Sequence, residues 1–349
     1  MNGQVYSIVS VRQGFAIFVK ISRRIWHAVI PLVVAPALAA AADLLRYESS
    51  VDAMGSTFSV AAYGPDRDSL AAAVEQALEE AKRLDHMLSN YRHDSEWSQV
   101  NRFAGQREFT VSQELFDLLA ACYAYSQHSQ GTFDITVGPL MKVWGFYKGS
   151  GRMPHRAEIR TALGRIGYEN LLLNPTQRTI RFAKNGLEID PGGIGKGYAV
   201  DRMAEILRRA GVRSALINAG GSSMLAIGTP PGKPGWEVKI RDPRDSRQTV
   251  QDLALKDESM ATSGSYEKFF TVRRKTYSHI MDPRTGYPAE GMFSVSVIAP
   301  RGIDSEAWTK PVYINGRSWA ARNIPKGFRA YLCEGRSEYP GEAKCAWLQ

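Results

Sequence analysis

The sequence predicts an α+β fold: one domain, residues 43–349, behind an N-terminal export signal at residues 1–42. Three observations predict it. Helix-period and strand-period segments both occur, but without the regular β-α alternation of a doubly wound sheet. Of the 349 residues, 44% are hydrophobic and 23% charged, the composition of a folded globular chain rather than a disordered or multi-span membrane one. No linker, repeat or low-complexity tract divides the chain after residue 43.

In order along the chain, residues 25–42 read IWHAVIPLVVAPALAAAA after Arg23-Arg24. A basic flank, an apolar run and an alanine-rich end describe a secretory signal cleaved within Ala37–Ala42. A retained membrane anchor is the alternative, although Pro31 and Pro36 interrupt the run and it is short of the ~20 residues a span needs. Ser22-Arg23-Arg24 leaves the twin-arginine route open beside the ordinary one. Val51–Tyr63 reads as a strand turning at Met54-Gly55. Residues 69–90 read as a helix capped by Ser69, with Leu70, Val74, Leu78, Ala81, Leu84 and Leu88 on one face. A second helix spans 112–129 and ends at Gly131, with Cys122 buried in it. Helical period returns at 156–166 and 197–210. Strand-like runs follow at 215–218, 236–240, 250–255, 277–281 and 293–298.

Charge and cysteines narrow the function classes. The formal charge is +9, but Arg12, Lys20, Arg23 and Arg24 supply four of these before the first acid, Asp43. The remaining surplus is dispersed, whereas nucleic acid needs a concentrated basic face. No nucleic-acid partner is expected. Three cysteines make no disulfide scaffold and no zinc cluster. Cys333 and Cys345 can pair in an oxidising compartment.

Five segments gather glycine, small hydroxyls and ionisable groups. Met54-Gly55-Ser56-Thr57 is a turn or a site edge. Ser89–Glu96, reaching Asn101, offers Tyr91 as a platform for a flat ring. Gly131–Leu140 (GTFDITVGPL) places Asp134 and Thr136 in strand-like alternation. Asp190-Pro-Gly-Gly-Ile-Gly-Lys196-Gly-Tyr-Ala-Val-Asp201 sets a glycine turn and a lysine at a helix start, where backbone N–H groups favour phosphate. It is not a P-loop, because Asp190 holds the first glycine position. The fifth pairs Ala261–Ser265 with Tyr277–Gly286, in which His279 lies just before an Asp282-Pro283 turn.

In this order the segments resemble the FAD:protein FMN transferase family, also called the ApbE family, over roughly Val51–Gly316. The most specific matches are Asp190–Asp201, ATSG at 261–264 and SHxxDPRTG at 278–286. The resemblance implies one α+β domain that takes FAD as substrate, moves its FMN half to a threonine hydroxyl of an acceptor protein, and releases AMP, with Mg2+ as the usual metal. It implies a periplasmic location, in agreement with the export signal. The acceptor would be an exported or membrane redox subunit, with membrane association possible. Hydrolysis of FAD to FMN and AMP, and a non-catalytic flavin binder, are the alternatives on the same fold.

Carried over residue by residue, Met54 and Tyr91 match the isoalloxazine pocket, and Thr132, Phe133 and Asp134 a flavin-contacting strand. Asp190 and Lys196 match nucleotide contacts, Ile280 touches FAD, and His279 matches the base, with Asp282 as its orienting or alternate group. Gly193 matches a metal-binding carbonyl. Near the C-terminus the chain departs from the family: where an Asp and, four residues on, a Thr are usual, it has Glu306 and Lys310. Glu306 can still bind a hard cation, an ammonium cannot, and Thr309 lies one position away.

Overall fold

The computed structural model describes residues 44–149, 151–245, 247–273, 275–335 and 343–349. The export signal expected at 1–42 falls outside them. No helix among the described residues is long and apolar enough to cross a membrane.

The chain opens with a hairpin. β1 (Leu45–Ala53) and β2 (Ser56–Gly64) join through Met54 and Gly55 at φ 51° and 66°. A two-residue loop with both central residues at positive φ matches the strands' right-handed twist. α1 (Arg67–Leu88) follows, burying Leu70, Val74, Leu78, Ala81, Leu84 and Leu88 as the periodicity requires. Its cap is Asp66 rather than Ser69: the Asp66 carboxylate accepts from the Ser69 backbone N at 2.8 Å. The helix therefore starts two residues earlier than expected.

α2 (Glu96–Phe103), β3 (Phe109–Thr110) and α3 (Gln113–His128) come next, with Ser112 capping α3. Residues 131–137 are not the strand expected from alternation. Both the backbone N and the hydroxyl of Thr136 donate to Asp134 Oδ1, each at 2.7 Å. Such short-range side-chain bonds compete with a sheet ladder. The chain turns instead into α4 (Gly138–Val143). α5 (Arg156–Leu163) stops at Gly164, short of 166; β4 (Leu171–Asn174) and β5 (Thr179–Phe182) form a small sheet with β3.

α6 (Gly195–Arg209) leads into β6 (Ser214–Ala219) and β7 (Ser223–Ile227). Then come β8 (Trp236–Arg241), β9 (Thr249–Leu255), β10 (Ser259–Gly264), β11 (Phe269–Val272), β12 (Lys275–Ser278) and β13 (Met292–Ala299). α7 (Gly302–Asn315), α8 (Arg317–Asn323), β14 (Arg329–Glu334) and β15 (Lys344–Trp347) complete the chain. Among the described residues the main sheet is antiparallel, ordered β1-β2-β6-β7-β10-β13-β14-β15. α1, α6 and α7 pack beside it, and the β8–β9 hairpin places Trp236, Val238 and Ile240 in a second cluster with Ala226, Met260 and Ile298. Cys333 and Cys345 face each other across β14–β15 and are bonded, as their spacing allows. Cys122 is a buried free thiol.

Two glycines set the helix layer. A Cβ on Gly197 would lie 2.2 Å from the Gly302 carbonyl O, and one on Gly302 only 2.4 Å from the Gly197 O. α6 and α7 therefore touch backbone to backbone. Asp201 completes the contact, accepting from the Gly302 N at 2.6 Å and the Ile303 N at 2.8 Å. It caps α7 from the neighbouring helix, supplying the acceptor that the first-turn N–H groups lack. This contact brings Glu306 and Lys310 beside the glycine turn at 192–195.

Candidate active site

The first part of the site is built around Asp190. Trp97 Nε1 and Asn101 Nδ2 donate to the Ile189 carbonyl at 3.1 and 2.9 Å, and Asn101 Oδ1 accepts from the Ile189 N at 2.8 Å. α2 thus fixes the strand-like entry to Asp190. The Asp190 carboxylate accepts from Tyr147 OH at 2.6 Å, Asn90 Nδ2 at 3.0 Å and the Gly192 N at 2.8 Å. Burial pushes its pKa up, against those three donors and the Lys268 ammonium. Tyr91 stands 72% exposed, edge-on to the Tyr147 ring at 6.3 Å between centroids. Both line an open groove of about 740 Å3 with Asn90, Asn101 and Lys142. A free aromatic face on a groove is a platform for a planar ring.

The second part is cationic. Lys196, in the first turn of α6, donates to Ser222 Oγ at 3.2 Å. Its Nζ lies 3.5 Å from where a Cβ on Gly220 would stand. Burial pushes its pKa down, against the pull of Glu306. Met54 Sδ packs 3.9 Å from where a Cβ on Gly195 would be, and Phe133 Cε2 stands 3.5 Å from that of Gly193. Both side chains therefore lie in van der Waals reach of the turn.

His279 supplies the third part. The β11–β12 register, Phe269 opposite Ser278, brings Lys268 against it. The His279 backbone N and the ring Nδ1 both meet the Lys268 carbonyl, at 3.0 and 3.2 Å. A carbonyl only accepts, so Nδ1 carries the proton and the neutral ring leaves Nε2 as its basic atom. Burial of the ring, then the Lys268, Lys310 and Lys196 charges, push its pKa down to about 4. The half-buried imidazole is neutral at pH 7.

Several expected residues sit elsewhere. Asp282 does not orient His279: Arg284 Nε and Nη2 hold its carboxylate at 2.9 and 2.8 Å. Arg284 Nη1 continues to Asn315 Oδ1, and Asn315 Nδ2 to Thr132 Oγ1, both at 2.9 Å. Asp282 and Thr132 thus brace the loop carrying His279. Asp134 is used up locally, accepting from Thr136 and, at 3.0 Å, from the Tyr168 N. Ile280 is buried in the core with Val295, Val297 and Trp308. Two residues that sequence reasoning passed over stand at the centre, Tyr147 and Lys268. The hairpin register identifies Lys268, eleven residues before His279; nothing in the sequence points to Tyr147 beyond its neighbouring aromatics.

The residues do not fit a divalent cation. No group of three His, Cys, Asp or Glu side chains among the described residues is arranged to hold one. Thr309 is fully buried, its hydroxyl donating to the Glu306 carbonyl at 2.7 Å and sharing a bond with Ser263 Oγ at 2.8 Å. Glu306 Oε2 already accepts from the Gly197 N. Lys310 Nζ lies 3.9 Å from Glu306 Oε1, and its Cε 3.4 Å from where a Cβ on Gly193 would stand. A cation placed between Gly193 and Glu306 would meet that ammonium. At ~4 Å and an effective dielectric of 20, the repulsion is about 4 kcal/mol per unit charge.

A profile of the ApbE family matches residues 54–332. The chain belongs to the ApbE family. Its curated relatives include the FAD:protein FMN transferase of Klebsiella pneumoniae, 33% identical over 75% of this chain and 80% of that protein. That of Treponema pallidum is 31% identical over 70% and 73%. Among solved structures, the ApbE protein of Thermotoga maritima superposes with a TM-score of 0.79 at 30% identity, over 86% of this chain and 96% of that one. The Pseudomonas stutzeri flavinyl transferase ApbE gives 0.75 at 27% identity, over 88% and 95%. The ApbE fold thus extends through the sheet and helix layer described above.

Proposed function

We propose that this ApbE chain transfers the FMN half of FAD to a threonine hydroxyl of an acceptor protein and releases AMP, working in the periplasm after export. The observation that carries it is the convergence of the glycine turn 192–195, the start of α6, three lysines and a neutral His279 with Nε2 unprotonated. The acceptor belongs among exported or membrane-bound redox proteins, the class that an exported flavin transferase can meet.

The chemistry follows from those parts. The threonine Oγ attacks the phosphorus that carries riboflavin. The bond from that phosphorus to the bridging oxygen breaks, and AMP leaves with the bridging oxygen. His279 Nε2 accepts the threonine proton, a role that contributes typically ~10²–10⁴-fold. The Lys196 ammonium and the positive end of the α6 dipole hold the pyrophosphate and offset charge on the departing AMP, the Gly192, Ile194, Gly195 and Gly197 N–H groups being bonded within the protein. Phosphoryl transfer asks mainly for such positioning and neutralisation. Tyr91 supplies an exposed face for the isoalloxazine, while Phe133 is buried against Tyr125 and backs the glycine turn.

The test is purified full-length protein with FAD and a threonine-bearing acceptor domain, read as flavin fluorescence in a denaturing gel. A fluorescent acceptor band supports transfer. AMP with free FMN would assign water as acceptor, and FAD binding without AMP a non-catalytic binder.

A further inference from the structure

The family's usual metal and this chain's residues disagree, and the disagreement is specific. Lys310 projects from α7 into the space between Glu306 and Gly193. Its Nζ donates to the Glu306 carbonyl at 3.2 Å and stands 3.9 Å from Glu306 Oε1. Its Cε lies 3.4 Å from where a Cβ on Gly193 would be. Lys196 lies one residue past that turn, and Lys268 flanks it through His279. The carboxylates of Asp190 and Glu306 both touch the turn. Asp190 accepts from the Gly192 N at 2.8 Å and, through Tyr147 and Asn90, faces the Lys268 side; Glu306 lies on the Lys310 side, with one of its oxygens taken by the Gly197 N.

We propose that the Lys310 ammonium takes the place of a divalent cation, so that the flavin nucleotide's pyrophosphate binds without metal. The inference rests on the flavin-nucleotide reading above and deepens it. A half-buried lysine is costly unless a counter-charge meets it. Glu306 is shared between Lys310 and Lys196, and a dianionic pyrophosphate over Gly193–Lys196 completes the counter-charge for both. A fixed ammonium provides at this position the neutralisation that a bound ion supplies elsewhere, with hydrogen-bond donors in addition. The α6–α7 contact holds it there, because Gly197 and Gly302 permit the approach that places Lys310 over Gly193.

The experiment is FAD titration of the full-length protein by flavin fluorescence, in EDTA and in millimolar magnesium, for the parent, Lys310→Thr and Lys310→Arg. The parent is expected to bind FAD equally, within about threefold, in both buffers. Lys310→Thr should weaken binding in EDTA by about tenfold to a hundredfold, the range for loss of a charge-assisted contact, and recover part of it with magnesium. Lys310→Arg keeps the charge and should remain indifferent to metal. A parent that tightens tenfold or more with magnesium overturns the proposal, as does Lys310→Thr binding like the parent in EDTA. A parent that binds no FAD in either buffer overturns the flavin reading itself, which distinguishes the two failures.

Discussion

In the proposed transfer His279 accepts the threonine proton, and its surroundings set its pH behaviour. Its pKa stands at about 4 in the free protein, below the ordinary 6.5, because burial and three lysines disfavour the imidazolium. So weak a base accepts a proton poorly, and a bound pyrophosphate screens those lysines. The acidic limb of kcat, which reports the bound complex, should therefore lie at higher pH than that of kcat/KM, between about 4 and 6.5. Coincident limbs in a pH–rate series would remove the lysines from the argument. Stability follows the opposite sign to a salt-bridged histidine. The unfolded chain binds this proton near 6.5 and the folded chain near 4, so folding stability declines as pH falls through that window. His279→Ala should lower transfer by roughly 10²–10⁴-fold with FAD affinity largely kept; unchanged turnover would place the base elsewhere. At the nucleotide end, Tyr147→Phe deletes one of the three donors to the Asp190 carboxylate. The cost to stability should be about 1–3 kcal/mol by denaturant melting, and a neutral result would mean that solvent replaces the phenol. The sequence singles out His279, Lys196 and Asp190 because glycine turns and a DPRTG turn mark them, and the structure groups lysines around His279. Tyr147 was not legible there, since it reaches Asp190 from 43 residues away, and Lys268 was not, since it meets His279 only through the register of the β11–β12 hairpin.

At the scale of elements, the contact between α6 and α7 has the greatest consequence. Gly197→Ala would push a methyl to 2.2 Å from the Gly302 carbonyl. Overpacking of this kind costs about 1–3 kcal/mol or more, and it would also lift Lys310 and Glu306 away from the turn. The variant should melt earlier and lose FAD affinity beyond what its melting explains; a shift in melting with full affinity would uncouple α7 from the site. The amphipathic α1 and α3 were legible because their apolar stripes follow the helical period, although the cap of α1 is Asp66 and not Ser69. α7 was not: buried along most of its length, it carries little amphipathic signal. The segment around Asp134 failed in the other direction. Its alternation is real, but Asp134 satisfies the Thr136 and Tyr168 backbone N–H groups locally, so no strand forms.

For the whole molecule, the α+β class followed from mixed periods without β-α alternation, and the antiparallel sheet bears that out. Strand order did not follow, because β2–β6 and β10–β13 pair across long insertions and sequence periodicity carries no pairing information. The layers explain why one domain suffices for two substrates. The sheet and α1, α6 and α7 form a rigid base. The 89–95 loop and the β11–β12 hairpin bring Tyr91 and His279 to it from distant parts of the sequence. Transfer of FMN to a threonine is measured as AMP released against flavin covalently bound, when the full-length protein is given FAD and a threonine-bearing acceptor domain. Equal amounts of the two are expected, both lost with an acceptor whose target threonine is changed to alanine. AMP release that continues unchanged with that acceptor, leaving FMN free, would contradict it.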